Sequence, residues 1–450
     1  MDTLTGKTLV ILGLARQGVA LARFAAQVGA RVVVSDLRSA AQLSDTLQQL
    51  ADLEITYVLG EHPMSLLENA DVLAVSGGVP ADAPLVRAAR ERGVAVTNDS
   101  QEFVRRAPTD VIGITGSAGK TTTTALTGVM GQVAGRRTWV GGNIGRPLIA
   151  DLHKMAPGDM VVQELSSFQL EMWQQSPRIA AVLNITPNHL DRHKTMAAYR
   201  DAKANILRHQ GGDDVAVLSA DDAGARALVP LVRGRLRFFS LENAVRDGAF
   251  VRDGQVWLRN GHETAVLPLS DIPLRGRHNV LNVLAAVTLA DAVDIPVEAM
   301  AAAIRSFRGV EHRLEHVATV RGVRYVNDSI ATAPERALAA LAAYDEPIVL
   351  LAGGKDKEMV WDAWVQQVCR QVRHVVLFGA LGEMLARRLT AAGCRALTRV
   401  ETLAEAVAAA AETAVAGDVV LLSPGGTSFD AFKDFAERGE AFRKLVQELV

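Results

Sequence analysis

Residues 111–124, VIGITGSAGKTTTT, set a β-branched apolar run directly before a glycine-containing turn that ends in Lys120 and four threonines. These residue types in this order make a phosphate cradle. Glycines let backbone N–H groups turn inward on a polyphosphate, Lys120 supplies a cation, and Thr121 or Thr122 offers a hydroxyl to a magnesium ion. A helix expected over 121–133 aims its positive end at the same anion. Ile114 stands where the longer phosphate-loop spacing wants glycine, so the loop is the shorter run Gly116, Ser117, Ala118, Gly119, Lys120, Thr121 and Thr122. A bare strand-to-helix turn needs no lysine followed by four threonines, which favours nucleoside triphosphate binding.

Three further segments follow or end predicted strands: GGNIG at 141–145, ELSSFQL at 164–170 and NITPNHLD at 184–191. Ligands of open α/β sheets bind outside the carboxyl ends of the strands, which brings Glu164 and His189 toward the phosphate loop. Magnesium takes oxygen ligands, a role that suits Glu164 beside Thr121. The bland alternatives are a capping carboxylate for Glu164 and a satisfied structural imidazole for His189. On a helix expected over 195–208, Met196, Tyr199, Lys203 and Ile206 follow one stripe, so Lys203 shares an apolar face. A buried ammonium is costly unless paired or chemically modified; snorkelling is the competing account.

These groups need scaffolds. A chain of 450 residues exceeds one hydrophobic core and points to about three domains. Predicted strands at 8–12, 31–35, 71–76 and 94–97 alternate with helical stretches, which implies a parallel sheet covered by helices. The first runs into GLARQG at 13–18, and the second ends at Asp36, the spacing of a Rossmann-type nucleotide site; Ala15 replaces the middle glycine of that fingerprint. The polar stretch 105–110 reads as a linker. Strands at 160–165, 180–185 and 215–219 follow, then a helix from Arg277 with Val280, Val283, Leu284 and Val287 on one face. A second boundary falls at 307–312, beyond which strands at 324–326, 348–352, 374–378 and 419–423 begin another doubly wound unit.

The composition, 49% apolar and 22% charged with a net charge of −2, is that of a globular protein without a field to recruit nucleic acid or anionic membrane. Cys369 and Cys394 have no metal-ligand spacing and are too few for a disulfide framework, so a reducing compartment is expected. Without an apolar leader or a long apolar run, the expected location is the cytoplasm.

In chain order, the phosphate loop, GGNIG, ELSSFQLE, NITPNHLDRH, YRDAK, LRGRHNVLN, EHRLE, NDSIAT and SPGGTSFDAFKDF resemble the Mur amide ligases over essentially the whole chain. The resemblance implies three α/β domains. These are a Rossmann-like domain at 1–106 for a UDP-muramoyl substrate, a central P-loop ATPase-like domain with a mainly parallel sheet at 107–308, and a Rossmann-like domain at 309–450 contacting the amino acid and the nucleotide. It further implies an ATP-dependent, magnesium-requiring ligation of D-glutamate to UDP-N-acetylmuramoyl-L-alanine through an acyl phosphate, in peptidoglycan precursor synthesis, by a monomer. Lys120 would sit on the phosphates. Thr121 and Glu164 would hold one magnesium ion, and His189 with a carbamylated Lys203 would support a second. Asn282, Arg313 and Asp328 would contact the adenine nucleotide. Leu14, Ala15, Asp36, Arg38, Ser76 and Gly78 match positions that hold the UDP part, while Asn143 and Ser166 match contacts to the rest of that substrate. Thr332, Lys357, Ser428 and Phe435 match the amino-acid site.

Three positions depart from the family pattern. Ile330 stands where many relatives carry Lys after Asn-Asp-Ser, Asn188 replaces the usual Asp before His189, and Gly425-Gly426 precede Thr427 and Ser428. The first removes a cation expected near the amino acid or the acyl phosphate, which leaves ligation of L-glutamate open. Other rivals are a different Mur or folylpolyglutamate-type ligase, and a regulatory protein that binds nucleotide without ligating anything. A pure switch needs no amino-acid pocket, which argues against the last.

Overall fold

The computed structural model describes residues 2–356 and 359–450, with the backbone alone at Asp191. They form two compact units, Met1–Pro273 with Arg277–Phe307, and Leu274–Gly276 with Arg308–Val450. The first unit holds two sheets and the second holds one.

Strands β1 (Thr8–Leu12), β2 (Arg31–Asp36), β3 (Ile55–Leu59), β4 (Val72–Val75) and β5 (Ala95–Thr97) make a parallel sheet in the order β3-β2-β1-β4-β5. Side chains alternate across a strand, so Leu9 and Ile11 pack into one apolar cluster while Val10 and Leu12 pack into another on the opposite face. A sheet buried on both faces reads as a continuous apolar run, which made β1 legible. Strand order reverses at β1, whose neighbours are β2 and β4. The carboxyl ends of β1 and β4 therefore open a crevice, and Gly13 and Ser76 stand there.

The second sheet contains β6 (Val111–Thr115), β7 (Thr138–Gly142), β8 (Met160–Glu164), β9 (Ile179–Val182), β10 (Val215–Ser219), β11 (Arg235–Ser240), β12 (Gly248–Arg252), β13 (Gln255–Asn260) and β14 (His262–Pro268). Its order is β14-β13-β12-β11-β10-β9-β6-β8-β7, parallel from β12 to β7 and antiparallel at β12-β13-β14. The reversal point is now β6, flanked by β8 and β9. Ile114 pairs in register with Glu164, and Thr115 with Val182, so the turn after β6 emerges between the ends of its neighbours. Helices Lys120–Val133 and Arg277–Asp291 pack together beside this sheet, and the latter is buried all round from Asn282 to Ala290 rather than on one face.

The third sheet, in the second unit, has β15 (Glu315–Val320), β16 (Val323–Asn327), β17 (Ile348–Gly353), β18 (Val372–Phe378), β19 (Leu397–Arg399) and β20 (Val419–Gly425) in the order β15-β16-β20-β17-β18-β19. Only β15 runs antiparallel to its neighbour. All three sheets thus have the α/β character expected, the central and C-terminal ones mixed.

Several elements differ from the sequence reading. Strands β3, β11 to β15 and β19 were not anticipated. The stretch 105–110 is not a loose connector: Arg106 bridges Asp2 at 2.6 Å and Glu102 at 2.5 Å with only 9% of its side chain accessible. Cys369 and Cys394, expected to remain unbridged, form a disulfide with Cα atoms 5.3 Å apart. That bridge ties the helix Asp362–Gln371 to the turn after the helix Gly382–Ala391, a proximity no spacing rule reveals. Among the described residues, no helix is long and apolar enough to cross a membrane.

Gly113 shows how tightly β6 is held. A Cβ there would lie 2.6 Å from Pro177 and 3.3 Å from Leu165. Gly113→Ala overpacks this face and should cost about 1–3 kcal/mol. Urea unfolding measures it, and an unchanged midpoint would mean that the strand can shift to make room.

Candidate functional site

The turn after β6 is fixed by the turn after β9. Ser117 N–H donates to the Asn184 carbonyl at 3.0 Å, Ala118 N–H donates to Asn184 Oδ1 at 2.8 Å, and Asn184 Nδ2 donates back to the Ala118 carbonyl at 3.1 Å. Ser117 Oγ donates to the Thr186 carbonyl at 2.9 Å and accepts from Thr186 N–H at 3.0 Å. Gly119 adopts φ 83°, and a Cβ there would lie 2.2 Å from Asn282 Oδ1. Glycine is therefore required at 119, where the loop turns into the helix Lys120–Val133 beside Asn282. Asn282 is itself held by Asn279 Oδ1 at 3.1 Å and lies 3.4 Å from Thr123 Oγ1.

Two lysines reach one carbonyl inside this frame. Lys120 Nζ donates to the Gly116 oxygen at 2.8 Å, and Lys203 Nζ donates to the same oxygen at 2.9 Å. Lys203 also reaches Thr115 Oγ1 at 3.3 Å and lies 4.8 Å from the Tyr199 ring centroid. With 1% of its surface exposed, Lys203 does not snorkel. Burial pushes its pKa well below the ordinary lysine range, the charge of Lys120 pushes the same way, and Glu164 opposes both.

Glu164, at the end of β8, is 1% exposed. Asn143 Nδ2 donates to Oε1 at 2.8 Å, while Oε2 is buried without a hydrogen-bond partner in the protein. An orphaned carboxylate oxygen beside a phosphate loop fits a magnesium site, together with Thr121, 6% exposed in the first turn of the adjacent helix. Ser166 caps the short helix Ser167–Leu170 in a reciprocal box with Gln169. His189 stands exposed at φ 53° at the head of the helix Leu190–His193, with its ring edge-on to Phe168 at 4.9 Å.

At the first sheet's crevice, Asp36 Oδ2 accepts from Leu14 N–H at 2.7 Å and pairs with Arg38 at 2.7 Å. Burial raises the Asp36 pKa, but Arg38 and the Leu14 and Arg38 N–H groups overcome it and hold it at about 2. Ser76 Oγ donates to the Gly13 carbonyl at 2.7 Å. A Cβ at Gly18 would lie 2.1 Å from the Gly13 carbonyl, so the third glycine of the fingerprint is needed for close approach, while Ala15 sits in extended backbone before the helix Arg16–Gln27. Arg16 Nη2 reaches the Asn143 carbonyl at 3.5 Å and links the two sheets' loops.

The second unit gathers three segments. Asp328 accepts from Leu314 N–H at 3.2 Å and Ser423 Oγ at 2.9 Å. Arg313 lies in a strained turn between His312 at φ 61° and Leu314 at φ 45°, with its Nε buried and without a hydrogen-bond partner in the protein. Arg438, wholly buried, donates to Ser329 Oγ at 3.0 Å, the Ser329 carbonyl at 2.9 Å and the Gly426 carbonyl at 3.2 Å. It thereby ties the loop around Thr332 to the one bearing Ser428, which is 2% exposed, while Ser329 Oγ donates to the carbonyl of Phe435 at the head of the helix Phe435–Gln447. Gly425 has φ 69°, and a Cβ there would lie 2.9 Å from Trp361, so the Gly-Gly step is imposed by packing. Lys357 lies outside the described residues. Asn184 and Arg192 lie in the NITPNHLDRH segment but had no role assigned to them from the sequence, and Arg438 was not singled out. Each acts by hydrogen bonds to distant backbone, which leaves no local pattern.

The comparisons agree along the chain. A Mur ligase MurD-like N-terminal domain matches residues 7–98, a Mur ligase middle domain 114–290, and a Mur ligase glutamate ligase domain 312–426. The UDP-N-acetylmuramoylalanine--D-glutamate ligase of Symbiobacterium thermophilum is 42% identical over 443 residues, covering 98% of this chain and 97% of its own. That of Pelotomaculum thermopropionicum is 41% identical over 449 residues, covering 99% and 98%. In fold, the chain is similar to the crystal structure of UDP-N-acetylmuramate-alanine ligase from Thermotoga maritima, with a TM-score of 0.59 at 20% identity over 98% of this chain and 99% of that one.

Burial drives the Asp328 pKa up to about 7 from 3.8, against the opposing pull of Ser423, Leu314 N–H, Arg313 and Arg336. A carboxyl raised on folding binds a proton that the unfolded chain has lost. Its stabilising contribution is complete below 3.8 and gone as pH rises through about 7. Asp328→Asn should therefore gain stability relative to the wild type between about pH 4 and about pH 8, by on the order of a few kcal/mol, read from urea unfolding at each pH. Parallel pH profiles would show that Asp328 is ionised throughout.

Proposed function

The chain belongs to the Mur ligase family, and we propose that it joins D-glutamate to UDP-N-acetylmuramoyl-L-alanine with consumption of ATP, a step of peptidoglycan precursor synthesis. The observation that carries this reading is the buried meeting of Lys120, Lys203 and the orphaned Glu164 oxygen around the turn after β6. A regulatory nucleotide switch has no use for that buried lysine or for a second unit whose loops gather buried Asp328, Ser423 and Ser428.

The chemistry requires activation, because a carboxylate does not react with an amine in neutral water. Transfer of the terminal phosphoryl group of ATP to the alanyl carboxylate makes an acyl phosphate, whose carbonyl carbon the glutamate amine attacks as phosphate leaves. Asn184 takes the Ser117 and Ala118 N–H groups, so the N–H groups of the first turn of the helix Lys120–Val133 and the Lys120 ammonium receive the phosphates and stabilise charge that develops on the moving phosphoryl group. Magnesium bound by Thr121 and Glu164, with His189 and a carbamylated Lys203 at a second ion, would neutralise further phosphate charge. Burial favours the neutral amine of Lys203, which can be carbamylated: its nitrogen lone pair forms a bond to the carbon of carbon dioxide, one C=O π bond breaks and leaves its electron pair on oxygen, and the nitrogen sheds a proton.

Residues 1–106 are assigned to the UDP-muramoyl substrate, with Leu14, Ala15, Asp36, Arg38, Ser76 and Gly78 around the uridine diphosphate and Asn143 and Ser166 along the remainder. Residues 107–308 are assigned to ATP, with Gly116, Ser117, Ala118, Gly119, Thr122 and Asn282 about the nucleotide. Residues 309–450 are assigned to glutamate through Thr332, Lys357, Ser428 and Phe435, and to the nucleotide through Arg313 and Asp328. ATP and UDP-linked sugars are intracellular pools, which places the reaction in the cytoplasm, and the protein is taken to act as a monomer.

Incubation with ATP, magnesium and UDP-N-acetylmuramoyl-L-alanine, offering each amino acid separately, should give phosphate and a new product mass with D-glutamate and little with L-glutamate. Phosphate release without the muramoyl substrate would overturn the ligase reading, and a preference for L-glutamate would reassign its amino acid. In the same assay Lys120→Ala should lose about 2–4 kcal/mol of transition-state stabilisation. Lys203→Ala should lose most turnover at an unchanged urea midpoint, and intact-mass analysis at alkaline pH should show a carbon dioxide adduct on the wild type alone. A fully active Lys203→Ala would reduce this lysine to a packing role.

A further inference from the structure

Arg192 spans the two sheets of the first unit. It sits on the helix Leu190–His193, three residues after His189, at the end of the turn that follows β9. Its Nη1 donates to the Gly77 carbonyl at 2.7 Å and its Nη2 to the Val79 carbonyl at 2.8 Å. These carbonyls flank Gly78 in the turn after β4, on the other sheet. Ser76, one residue before, closes that turn onto Gly13 at the end of β1.

The guanidinium also has a floor. Its central carbon lies 4.1 Å from the Phe168 ring centroid, and that ring contacts His189 at 4.9 Å and stacks on His193 at 5.3 Å. His193 is pinned in turn by Ser167 Oγ at 2.9 Å and Glu171 at 2.9 Å, while Glu171 lies 3.9 Å from Arg192 itself. One planar cation therefore grips the turn after β4 with both terminal nitrogens and rests on the aromatic ring against which His189 is set.

We infer that Arg192 is a positioning residue that fixes the distance between the turn holding the UDP part of the substrate and the His189 segment at the reacting end. The inference rests on the ligase reading above. A long substrate bound at one end presents its carboxylate to the phosphate loop only if the two anchor points keep a set separation, and a misplacement of about 1 Å can cost on the order of a hundred-fold in rate. Arginine suits this task because its fork meets two carbonyls in one plane and stacks on an aromatic face, whereas lysine offers a point charge and no plane.

Arg192→Lys preserves the charge and the packed stem while removing the fork. Its KM for UDP-N-acetylmuramoyl-L-alanine should rise at least ten-fold and kcat should fall, with KM for ATP within two-fold of wild type and the melting temperature nearly unchanged. Calorimetry of UDP-N-acetylmuramoyl-L-alanine binding without ATP should show the same weakening, and guanidinium ion added to Arg192→Ala should restore part of the rate. Wild-type kinetics in Arg192→Lys, or equal rises in both KM values together with a lowered melting temperature, would overturn the inference while a ligating wild type left the ligase reading standing. A wild type that binds UDP-N-acetylmuramoyl-L-alanine but forms no product would remove the ligase reading, and unchanged calorimetry in Arg192→Lys would still overturn this inference.

Discussion

The carbonyl of Gly116, accepting from Lys120 at 2.8 Å and Lys203 at 2.9 Å, brings two amine nitrogens to one oxygen, the second of them buried away from water, so that a charge on one opposes a charge on the other. The arrangement is tolerable only because the loop is held from outside. Asn184 and Thr186, at the end of β9, supply the hydrogen bonds that the turn's backbone cannot find within itself. Their placement follows from strand order, since β6 lies between β8 and β9 and both neighbours end where it ends. Glu164 closes the set from the other side, with one oxygen bound by Asn143 and the other buried without a hydrogen-bond partner in the protein.

The same logic recurs in each sheet. In the first, reversal of strand order at β1 places Gly13 and Ser76 at one crevice, and Asp36 from the end of β2 is held ionised by Arg38 and the Leu14 N–H. In the third, the ends of β16 and β20 carry Asp328 and Ser423, and their following loops are joined through wholly buried Arg438. A guanidinium out of water is costly unless its N–H groups are satisfied. Arg438 meets that condition with backbone carbonyls and a hydroxyl, and burial holds its pKa down at about 10.

Legibility in the sequence tracked how local the cause was. The strands beside the sites were readable because two buried faces require unbroken apolar runs, and the phosphate loop because its chemistry fits in seven consecutive residues. Helical periodicity put Lys203 on an apolar stripe but left snorkelling open, which its burial in the fold now excludes. The antiparallel strands β12 to β14 at the end of the sheet were not readable, because their half-exposed ladder mixes Arg252, Arg259 and Glu263 into the pattern. The Cys369–Cys394 bridge and the grip of Arg192 were hidden for another reason, since both join segments whose proximity exists only after folding. The stretch 105–110 had a linker's composition, yet its charges are consumed by Asp2 and Glu102, so polarity reported ion pairing rather than freedom.

Charge arithmetic at the turn after β6 explains why a lysine is useful where a neutral residue would pack better. With both lysines protonated, Lys120, Lys203 and Glu164 sum to one positive charge, which repels a metal dication and leaves the Glu164 oxygen without a role. Burial and the neighbouring Lys120 already favour the neutral form of Lys203, which lifts that repulsion. The proposed carbamate goes one step further: Lys203 becomes an anion, the three groups sum to one negative charge, and the site favours a divalent cation without an added acidic residue. An aspartate or glutamate at 203 would give the same sum permanently, and it would place a second buried carboxylate near Glu164 whenever no metal was bound, a repulsion that raises the pKa of one of them. A lysine that gains its charge from carbon dioxide escapes that conflict, since it can fold as a neutral amine hydrogen-bonded to Gly116 and become an anion only when a cation is there to receive it.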